Sequence, residues 1–212
     1  MYKKLKSKNS FKKLALIVMI SSIILGCSSD QDPVAPPYTN VDTSFQSLFN
    51  TVQVNQGLVN DQYMDTEVHQ YSFKMTKSGK IYSVGFQSLP INEGLFHKIE
   101  IVDNVTGTII YNESHKFSSA SVDYYEINPP LEITANNSYS IRETFLLSQA
   151  PSGFFNDLIC NGLRKPNNSS LTFPINAGDM IITGTNNYQL FAIGSPQINY
   201  FLPFIDFSFT PN

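Results

Sequence analysis

The stretch HKIEIVDNVTGTIIY, residues 97–111, decides the fold class. Apolar and polar side chains alternate from His97 to Val102, with the period of a half-buried β-strand. Residues 103–107 then supply turn chemistry, because Asp and Asn side chains bond to nearby backbone and Gly107 tolerates a positive φ. A second apolar run follows at residues 108–111. The segment therefore predicts an antiparallel β-hairpin.

The same period of two recurs along the chain, interrupted by glycine, proline and asparagine. Further strands are predicted at residues 69–75, 81–86, 122–127, 131–133, 138–144, 171–175, 180–183, 188–193 and 204–209. Pro129-Pro130 and Asn136-Asn137 are expected to break the series. Only residues 45–52 have helical spacing, and a strand is an open alternative there. About ten short antiparallel strands and at most one short helix indicate an all-β protein, a β-sandwich or jelly roll.

The first 26 residues have the pattern of a secretory signal. Six lysines lie within the first thirteen residues, and residues 14–25 carry no charge. As a helix, that uncharged run would reach only about 18 Å, too short for a hydrocarbon core of about 30 Å. The lysine-rich flank and the short apolar run are typical of a signal peptide. An ordinary signal with a chance cysteine is the alternative, but the A-x-A-like cleavage pattern is absent.

The run ends Ile24-Leu25-Gly26-Cys27, which resembles the lipobox of bacterial lipoproteins. The resemblance implies cleavage after Gly26, a diacylglycerol thioether on Cys27 and acylation of the freed amine. Three acyl chains would anchor the protein durably, whereas one chain holds only marginally. A serine directly after the lipidated cysteine, here Ser28, resembles the sorting signal that sends lipoproteins to the outer membrane. The lipid-anchored protein could face the periplasm or the outside, since the two acids at positions 30 and 32 are only a weak export signal.

Composition limits what the anchored part does. Residues 27–43 contain three prolines among polar residues and predict a flexible linker, which leaves residues 44–212 for a single domain. Once residues 1–26 are removed, 17 acids and 8 of the 14 basic residues remain, a net charge of 8 − 17 = −9. Nucleic acid is a disfavoured partner, because binding its phosphates requires clustered lysine and arginine.

Part of the chain is similar to a known family. The motifs are Lys98–Asp103, Gly107–Tyr111, Tyr124–Ile127, Leu131–Ala135, Tyr139–Ile141 and a closing segment from Asn199 to Phe209. Together they resemble an uncharacterised β-sandwich family of bacterial secreted proteins, over roughly residues 68–209. This chain lacks the tryptophan often found in the first of these strands. The resemblance implies binding or scaffolding beside adhesive or glycan-active modules, and it carries over no catalytic residue.

Sugar binding is the favoured ligand class, and tyrosines are its candidate platform because the chain has no tryptophan. Tyr124, Tyr125 and Tyr188 are the candidate ligand-binding residues. The alternative is that these rings pack across strands with their hydroxyls at the rim. No cofactor is required by the sequence. A structural calcium ion is a minor hypothesis resting on Asp103 and Asp179, which are also ordinary turn residues.

No motif of nucleophilic or metal chemistry is present. His69, His97 and His115 are far apart in sequence and are expected on half-exposed strand faces, not in a zinc site. Cys160 has no partner once Cys27 is lipidated, and its apolar neighbours predict a buried structural thiol. The sequence thus predicts a lipid-anchored, non-catalytic binding, adhesion or structural module of the cell envelope. The competing prediction is an envelope glycoside hydrolase or other hydrolase using a carboxylate pair.

Overall fold

The computed structural model describes residues 44–55, 57–63, 65–146, 160–190 and 195–212. All of them lie within one compact unit, Val41–Asn212. The predicted signal peptide, Cys27 and the linker lie outside the described residues and stay predictions. Antiparallel β-sheets make up most of the described part of the chain, which confirms the all-β prediction.

One α-helix, α1, spans Ser44–Asn55 among the described residues, which settles the choice between helix and strand there. The described strands are β1 Val59–Tyr63, β2 Val68–Met75, β3 Gly79–Phe86, β4 Phe96–Asp103, β5 Thr108–Lys116, β6 Asp123–Ile133, β7 Tyr139–Phe145, β8 Cys160–Arg164, β9 Ile175–Ala177, β10 Met180–Asn187, β11 Gln197–Ile198, β12 Leu202–Pro203 and β13 Ile205–Pro211. A short 3₁₀ turn, Pro90–Asn92, lies between β3 and β4.

The strands form one large sheet and two small ones. The large sheet has the order β11-β10-β2-β7-β4-β5, with β9 also paired to β10. The small sheets are β1-β8-β12 and β13-β3-β6. Only Phe204 separates β12 from β13, so the chain passes directly from one small sheet into the other. The hairpin predicted at residues 97–111 is the β4–β5 pair, with Asp103 opposite Thr108 at the turn.

The core lies between the large sheet and the β13-β3-β6 sheet. The rings of Phe73 on β2 and Phe207 on β13 are 4.9 Å apart, centre to centre. The Tyr71 hydroxyl crosses the same space and donates to the Ile205 carbonyl at 2.7 Å. Each buried aromatic side chain removes a large apolar area from water, so these contacts dominate the packing. The two layers form the sandwich that period-two patterning predicts.

Helix α1 covers one end of this core. Its apolar side chains Phe45, Leu48, Phe49 and Val52 recur at helical spacing and are buried. The Phe45 ring stacks on Tyr71 at 5.1 Å, and Phe49 meets Phe204 edge to face at 4.8 Å. The flank of the helix next to this apolar face carries the amides Gln46, Asn50 and Gln53. That amide flank forms one wall of the site described below.

Three details of the strand prediction are wrong. Pro129-Pro130 does not end a strand, because β6 continues through it: the register passes from Ser83 opposite Glu126 to Ile81 opposite Leu131. Residues 127–130 thus bulge opposite a single residue, where prolines need no ladder N–H. Within residues 171–175 only Ile175 joins a strand, and β10 ends before Tyr188, which forms a single bridge with Val68. Residues 191–193 of the predicted 188–193 strand lie outside the described residues.

Candidate functional site

A cleft of about 430 Å³ opens beside helix α1, among the described residues. Its volume is within the range of about 300–1,000 Å³ that is usual for small-ligand sites. Its walls come from α1, β1, the β3–β4 connection, the β5–β6 loop and the start of β8. The lining residues are Gln46, Phe49, Asn50, Gln53, Asn60, Gln62, Gln87, Ser88, Leu89, Pro90, Ser119, Val122, Asn161 and Phe204.

Local periodicity brings the amides of this lining together. Gln46, Asn50 and Gln53 lie at i, i+4 and i+7 on α1, so they share one face of the helix. Asn60 and Gln62 alternate with Val59, Asp61 and Tyr63 along β1 and share one face of that strand. The Gln46 side chain donates to Asn50 Oδ1 at 3.4 Å, which links two of the helix amides.

The cleft is polar but carries no charge. Seven of its fourteen lining residues are asparagine or glutamine, two are serine, and none is acidic, basic or histidine. Each side-chain amide offers both a donor and an acceptor, the combination that paired hydroxyl groups require. The rings of Phe49 and Phe204 add apolar surface to the same space. The lining is therefore complementary to a neutral, hydroxyl-rich molecule and offers no positive charge to an anion.

Ser88, on the floor of the cleft, is the first member of a buried polar cluster. Its Oγ lies 3.2 Å from His97 Nε2, and His97 Nδ1 lies 2.9 Å from Glu143 Oε1. The other carboxylate oxygen, Glu143 Oε2, lies 3.0 Å from His69 Nδ1. The side chains of His69, His97 and Glu143 are 0% exposed. A serine at the cleft thus contacts His97 directly and is connected to His69 through the carboxylate that the two histidines share.

Strand register assembles the cluster. On the inner face of the large sheet, His69 of β2 lies directly opposite Glu143 of β7. The neighbouring pair on the other side of β7 places His97 of β4 opposite Phe145, two residues from Glu143. Since alternate residues of a strand share a face, both histidines and the carboxylate point into the same layer. Ser88 follows β3 and reaches His97 from the β3–β4 connection.

The cluster holds its charges as a pair. Burial raises the pKa of Glu143, but hydrogen bonds from His69 and His97 outweigh burial and leave that pKa below its usual 4.5. Burial lowers the pKa of His69, but its interactions with Cys160 and Glu143 outweigh burial and hold the pKa well above 6.5. Of these two partners, the Glu143 carboxylate is the one that is charged at neutral pH. At neutral pH a carboxylate therefore faces an imidazolium. Together they carry no net charge, the state that a buried site favours.

Cys160 of β8 is the remaining member of the cluster. It is 1% exposed and interacts with the His69 ring, and burial raises the pKa of its thiol above 9.0. The thiol is thus protonated at neutral pH. The prediction that Cys160 is a buried thiol agrees with its position on β8, facing the large sheet. Its neighbour Asn161 points to the cleft instead.

The expectation that the histidines occupy half-exposed strand faces is wrong for His69 and His97, which are fully buried. They are buried because a carboxylate and a hydroxyl on neighbouring elements satisfy their ring nitrogens. His115 is separate: its ring stacks on Tyr125 at 4.1 Å, and its Nε2 lies 2.7 Å from the Tyr111 hydroxyl. Burial lowers the pKa of His115, so its ring is neutral at pH 7.

The three candidate tyrosines lie outside the lining of the cleft. The Tyr124 hydroxyl donates to the buried Asp206 at 2.7 Å, and its ring covers Gly85 so closely that a Cβ there would approach it to 2.5 Å. The Tyr125 hydroxyl donates to the Lys116 carbonyl. Tyr188 lies beside β2 on the large sheet, apart from the other two on β6. The structure therefore does not gather them into one platform, and their role in binding stays a prediction.

The two candidate calcium residues use their oxygens in protein contacts. Asp103 Oδ1 accepts from the backbone N–H groups of Val105 and Thr106, the pattern of an Asx turn. Asp179 accepts from Thr76 and from Lys77, at 3.0 Å in both cases, and this lowers its pKa. In the part of the chain that the structure describes, no group of three or more His, Cys, Asp or Glu side chains is placed to hold a metal ion.

Sequence reasoning did not single out Glu143, Ser88 or the amides of the cleft. A signal for Glu143 was present, because it follows Tyr139 and Ile141 at the inward positions of β7. His69 and His97 likewise continue the inward, apolar series of their own strands. A polar residue at an inward position predicts a buried partner. The amides carried no such signal, because asparagine and glutamine are common in turns and on surfaces.

Comparison with known proteins does not assign the chain to a family. No family model matches the chain, and no curated protein matches it. No helix among the described residues is both long and apolar enough to cross a bilayer.

Proposed function

We propose that this chain is a lipid-anchored protein of the bacterial outer membrane that binds a neutral glycan in the amide-lined cleft. The anchor rests on the lipobox-like segment ending at Cys27. The ligand class rests on one observation: seven amides and two phenylalanine rings line a cleft without a charged side chain. Vicinal hydroxyls of a sugar pair with amide donors and acceptors, while the apolar face of the ring packs on aromatic carbon.

Neighbouring chemistry supports a neutral ligand over an anionic one. A phosphate or carboxylate ligand is usually held by arginine, lysine or a helix N-terminus, and the lining supplies none of the first two. Beside the lining, Glu93 accepts a hydrogen bond from the hydroxyl of Ser119 at 2.7 Å, and a carboxylate in that position disfavours an anionic ligand. An amide-rich lining also binds without the desolvation cost of an ion.

Binding is tested with an array of neutral oligosaccharides, followed by calorimetry on the strongest hit. Asn50→Ala and Gln62→Ala remove exposed amides from two different walls of the cleft. Each is expected to weaken binding about 2- to 12-fold, since a hydrogen bond contributes about 0.5–1.5 kcal/mol. Asn112→Ala on β5, an exposed amide outside the lining, is the matched control and should bind as the parent does.

Tyr188→Ala separates the cleft from the tyrosine prediction. If the glycan stacks on Tyr188, this variant loses affinity while Asn50→Ala keeps it. If the cleft is the site, the order is reversed. Failure of the parent to bind any neutral glycan would overturn the proposal and favour an assembly or adhesion role through protein contacts.

A further inference from the structure

We propose that Ser88, His97 and Glu143 form a serine esterase site that removes a small acyl group from the glycan bound in the cleft. The inference rests on the proposed function, because it takes that ligand as its substrate. It goes further by assigning a reaction. Three contacts, all among described residues, carry it: Ser88 on the cleft lining, Ser88 against His97, and His97 against Glu143.

The connectivity is that of a nucleophile, a base and a positioning carboxylate. Glu143 Oε1 lies 2.9 Å from His97 Nδ1, which places the ring proton on Nδ1. His97 Nε2 lies 3.2 Å from Ser88 Oγ, and the Ser88 hydroxyl also lies 3.3 Å from the Leu89 carbonyl. For the reaction, the hydroxyl turns from that carbonyl to Nε2, which accepts its proton. The distance from Ser88 Oγ to Nε2 is at the upper end of the hydrogen-bond reach of a nucleophile to its base in an unliganded site. Glu143 acts only through His97 and is a positioning residue.

The cleft supplies the rest of the site. Gln87 lines it beside Ser88 and has two amide hydrogens, one of which goes to the Ser119 carbonyl at 2.8 Å. We assign the second hydrogen to the oxygen that becomes negative during attack. Ser88 is 1% exposed, so little of its side chain faces the cleft. We therefore expect the acyl group of the substrate to be small, such as acetyl.

The reaction balances with an ester and water as its only reactants. Ser88 Oγ attacks the carbonyl carbon and gives its proton to His97 Nε2. The tetrahedral intermediate collapses, the sugar oxygen leaves with that proton as an alcohol, and the acyl group stays on Ser88. Water then attacks the acyl carbon while His97 takes its proton. His97 returns the proton to Ser88, and the acid is released.

The second histidine distinguishes this cluster from an isolated triad. His69 occupies the other oxygen of Glu143 and holds a positive charge beside it, which keeps the carboxylate ionised in a fully buried position. An ionised carboxylate is the form that stabilises the imidazolium formed on His97 during attack. His69 reaches neither Ser88 nor the cleft lining, so it supports the site without touching substrate.

The test uses p-nitrophenyl acetate as substrate and a fluorophosphonate as a label for the nucleophile. The parent should hydrolyse the ester and take up one label, found on Ser88 by mass spectrometry. Ser88→Ala should abolish labelling and lower kcat about 10⁴-fold. Ser83→Ala is the matched control: Ser83 is equally buried, at 1% exposure, but bonds to Ser208 away from the cleft. The Ser83→Ala variant should hydrolyse the ester and take up the label as the parent does.

Glu143→Gln tests the positioning role in the same assay, with a thermal melt to confirm that the variant is folded. The expected result is a lower kcat at an unchanged KM, because the amide no longer stabilises the imidazolium. A merely structural Glu143 would leave kcat unchanged in the folded variant. That outcome, or hydrolysis by Ser88→Ala at the parental rate, would overturn the proposal.

Binding and hydrolysis can fail separately. If the parent binds a neutral glycan but neither hydrolyses the ester nor takes the label, the esterase inference is wrong and the binding proposal stands. If it hydrolyses p-nitrophenyl acetate through Ser88 but binds no glycan, the esterase site stands and its substrate is another ester. Release of acetate from O-acetylated oligosaccharides, lost in Ser88→Ala, would support both.

Discussion

His69 and Glu143 face each other directly across the β2–β7 pair, with His69 Nδ1 3.0 Å from Glu143 Oε2 and both side chains fully buried. Because both side chains are fully buried, solvent water cannot take the place of either residue if the other is removed. Each residue is thus tolerable in the core only while the other is present.

Removal of the carboxylate should destabilise the protein strongly. Glu143→Gln leaves a buried imidazolium without its counter-charge, and breaking such a pair costs about 3–5 kcal/mol. Urea denaturation followed by circular dichroism measures the loss. Glu126→Gln, on the exposed side of β6, should change the free energy of unfolding by no more than about 0.5 kcal/mol. Equal losses in the two variants would contradict the charge pairing.

Stability should fall as the pH rises above neutrality. The folded pKa of His69 lies well above 6.5, so the folded state binds its proton more tightly than the unfolded chain does. The resulting stabilisation is fully present below pH 6.5 and is lost as the pH rises towards the folded pKa, by up to about 1.4 kcal/mol per pH unit. Urea midpoints at about pH 6 and pH 8 measure this, and His69→Gln should flatten the difference.

Below neutrality the pH dependence of stability has the opposite sign, so stability falls as the pH falls. Because the folded pKa of Glu143 is below 4.5, its contribution is present above pH 4.5 and is lost as the pH falls through the folded value. A stability maximum between the two windows is expected. A parent protein that is more stable at pH 8 than at pH 6 would contradict the assignment for His69.

Tyr124 should matter to stability and not to binding in the cleft. Tyr124→Phe keeps the ring over Gly85 but removes the donor to Asp206, a buried carboxylate, at a cost of about 1–3 kcal/mol. Thermal melts measure that cost, with Tyr200→Phe on the surface as the control. Calorimetry should give the parental affinity for a neutral glycan. Loss of that affinity at unchanged stability would favour the tyrosine platform instead.

A chelator should leave the thermal midpoint unchanged. The carboxylates of Asp103 and Asp179 already accept bonds from Val105, Thr106, Thr76 and Lys77. Those contacts complete two turns without a metal ion. Melts in excess EDTA and in excess calcium check this prediction. A midpoint that falls in EDTA and recovers with calcium would show a structural ion.

Cys27 should carry the membrane anchor. The parent, expressed in a bacterium, is expected to incorporate labelled palmitate and to fractionate with membranes, because several acyl chains hold durably. Cys27→Ser should lose the label and become soluble, whereas Cys160→Ser should keep both. Membrane association of Cys27→Ser without lipid would contradict the anchor. Protease treatment of intact cells then decides between the periplasmic and the outer face.

The sequence predicts much of the fold because alternation is local information. His69, Tyr71, Phe73 and Met75 show the inward face of β2 without reference to any other strand. Strands that lack this alternation were missed, among them β8 at Cys160–Arg164 and the two-residue β12. Their burial depends on the layers around them. Pro129-Pro130 was misread because a bulge, visible only in the pairing register, places it opposite a single residue.

The site was less accessible to prediction, since it depends on which strands are neighbours. His69, His97 and Glu143 are separated by up to 74 residues in sequence, and only the order β2-β7-β4 brings them together. The alternation of each strand gives its inward face but not its partner. The cleft depends further on the position of α1 relative to β1, the β3–β4 connection and β8, which bring Ser88 and the amides to one space. The sequence shows these residue types, but it does not show that they come together in one site.

The lining of the cleft presents dipoles in place of ions, and this sets the conditions under which it can work. Dissolved electrolyte weakens attraction between exposed charges beyond a Debye length of about 8 Å, but it leaves short hydrogen bonds between neutral groups almost untouched. The affinity of the cleft amides for a neutral molecule should therefore be similar at low and at high ionic strength. If the proposed function is correct, binding in the cleft should therefore depend little on the salt concentration outside the cell.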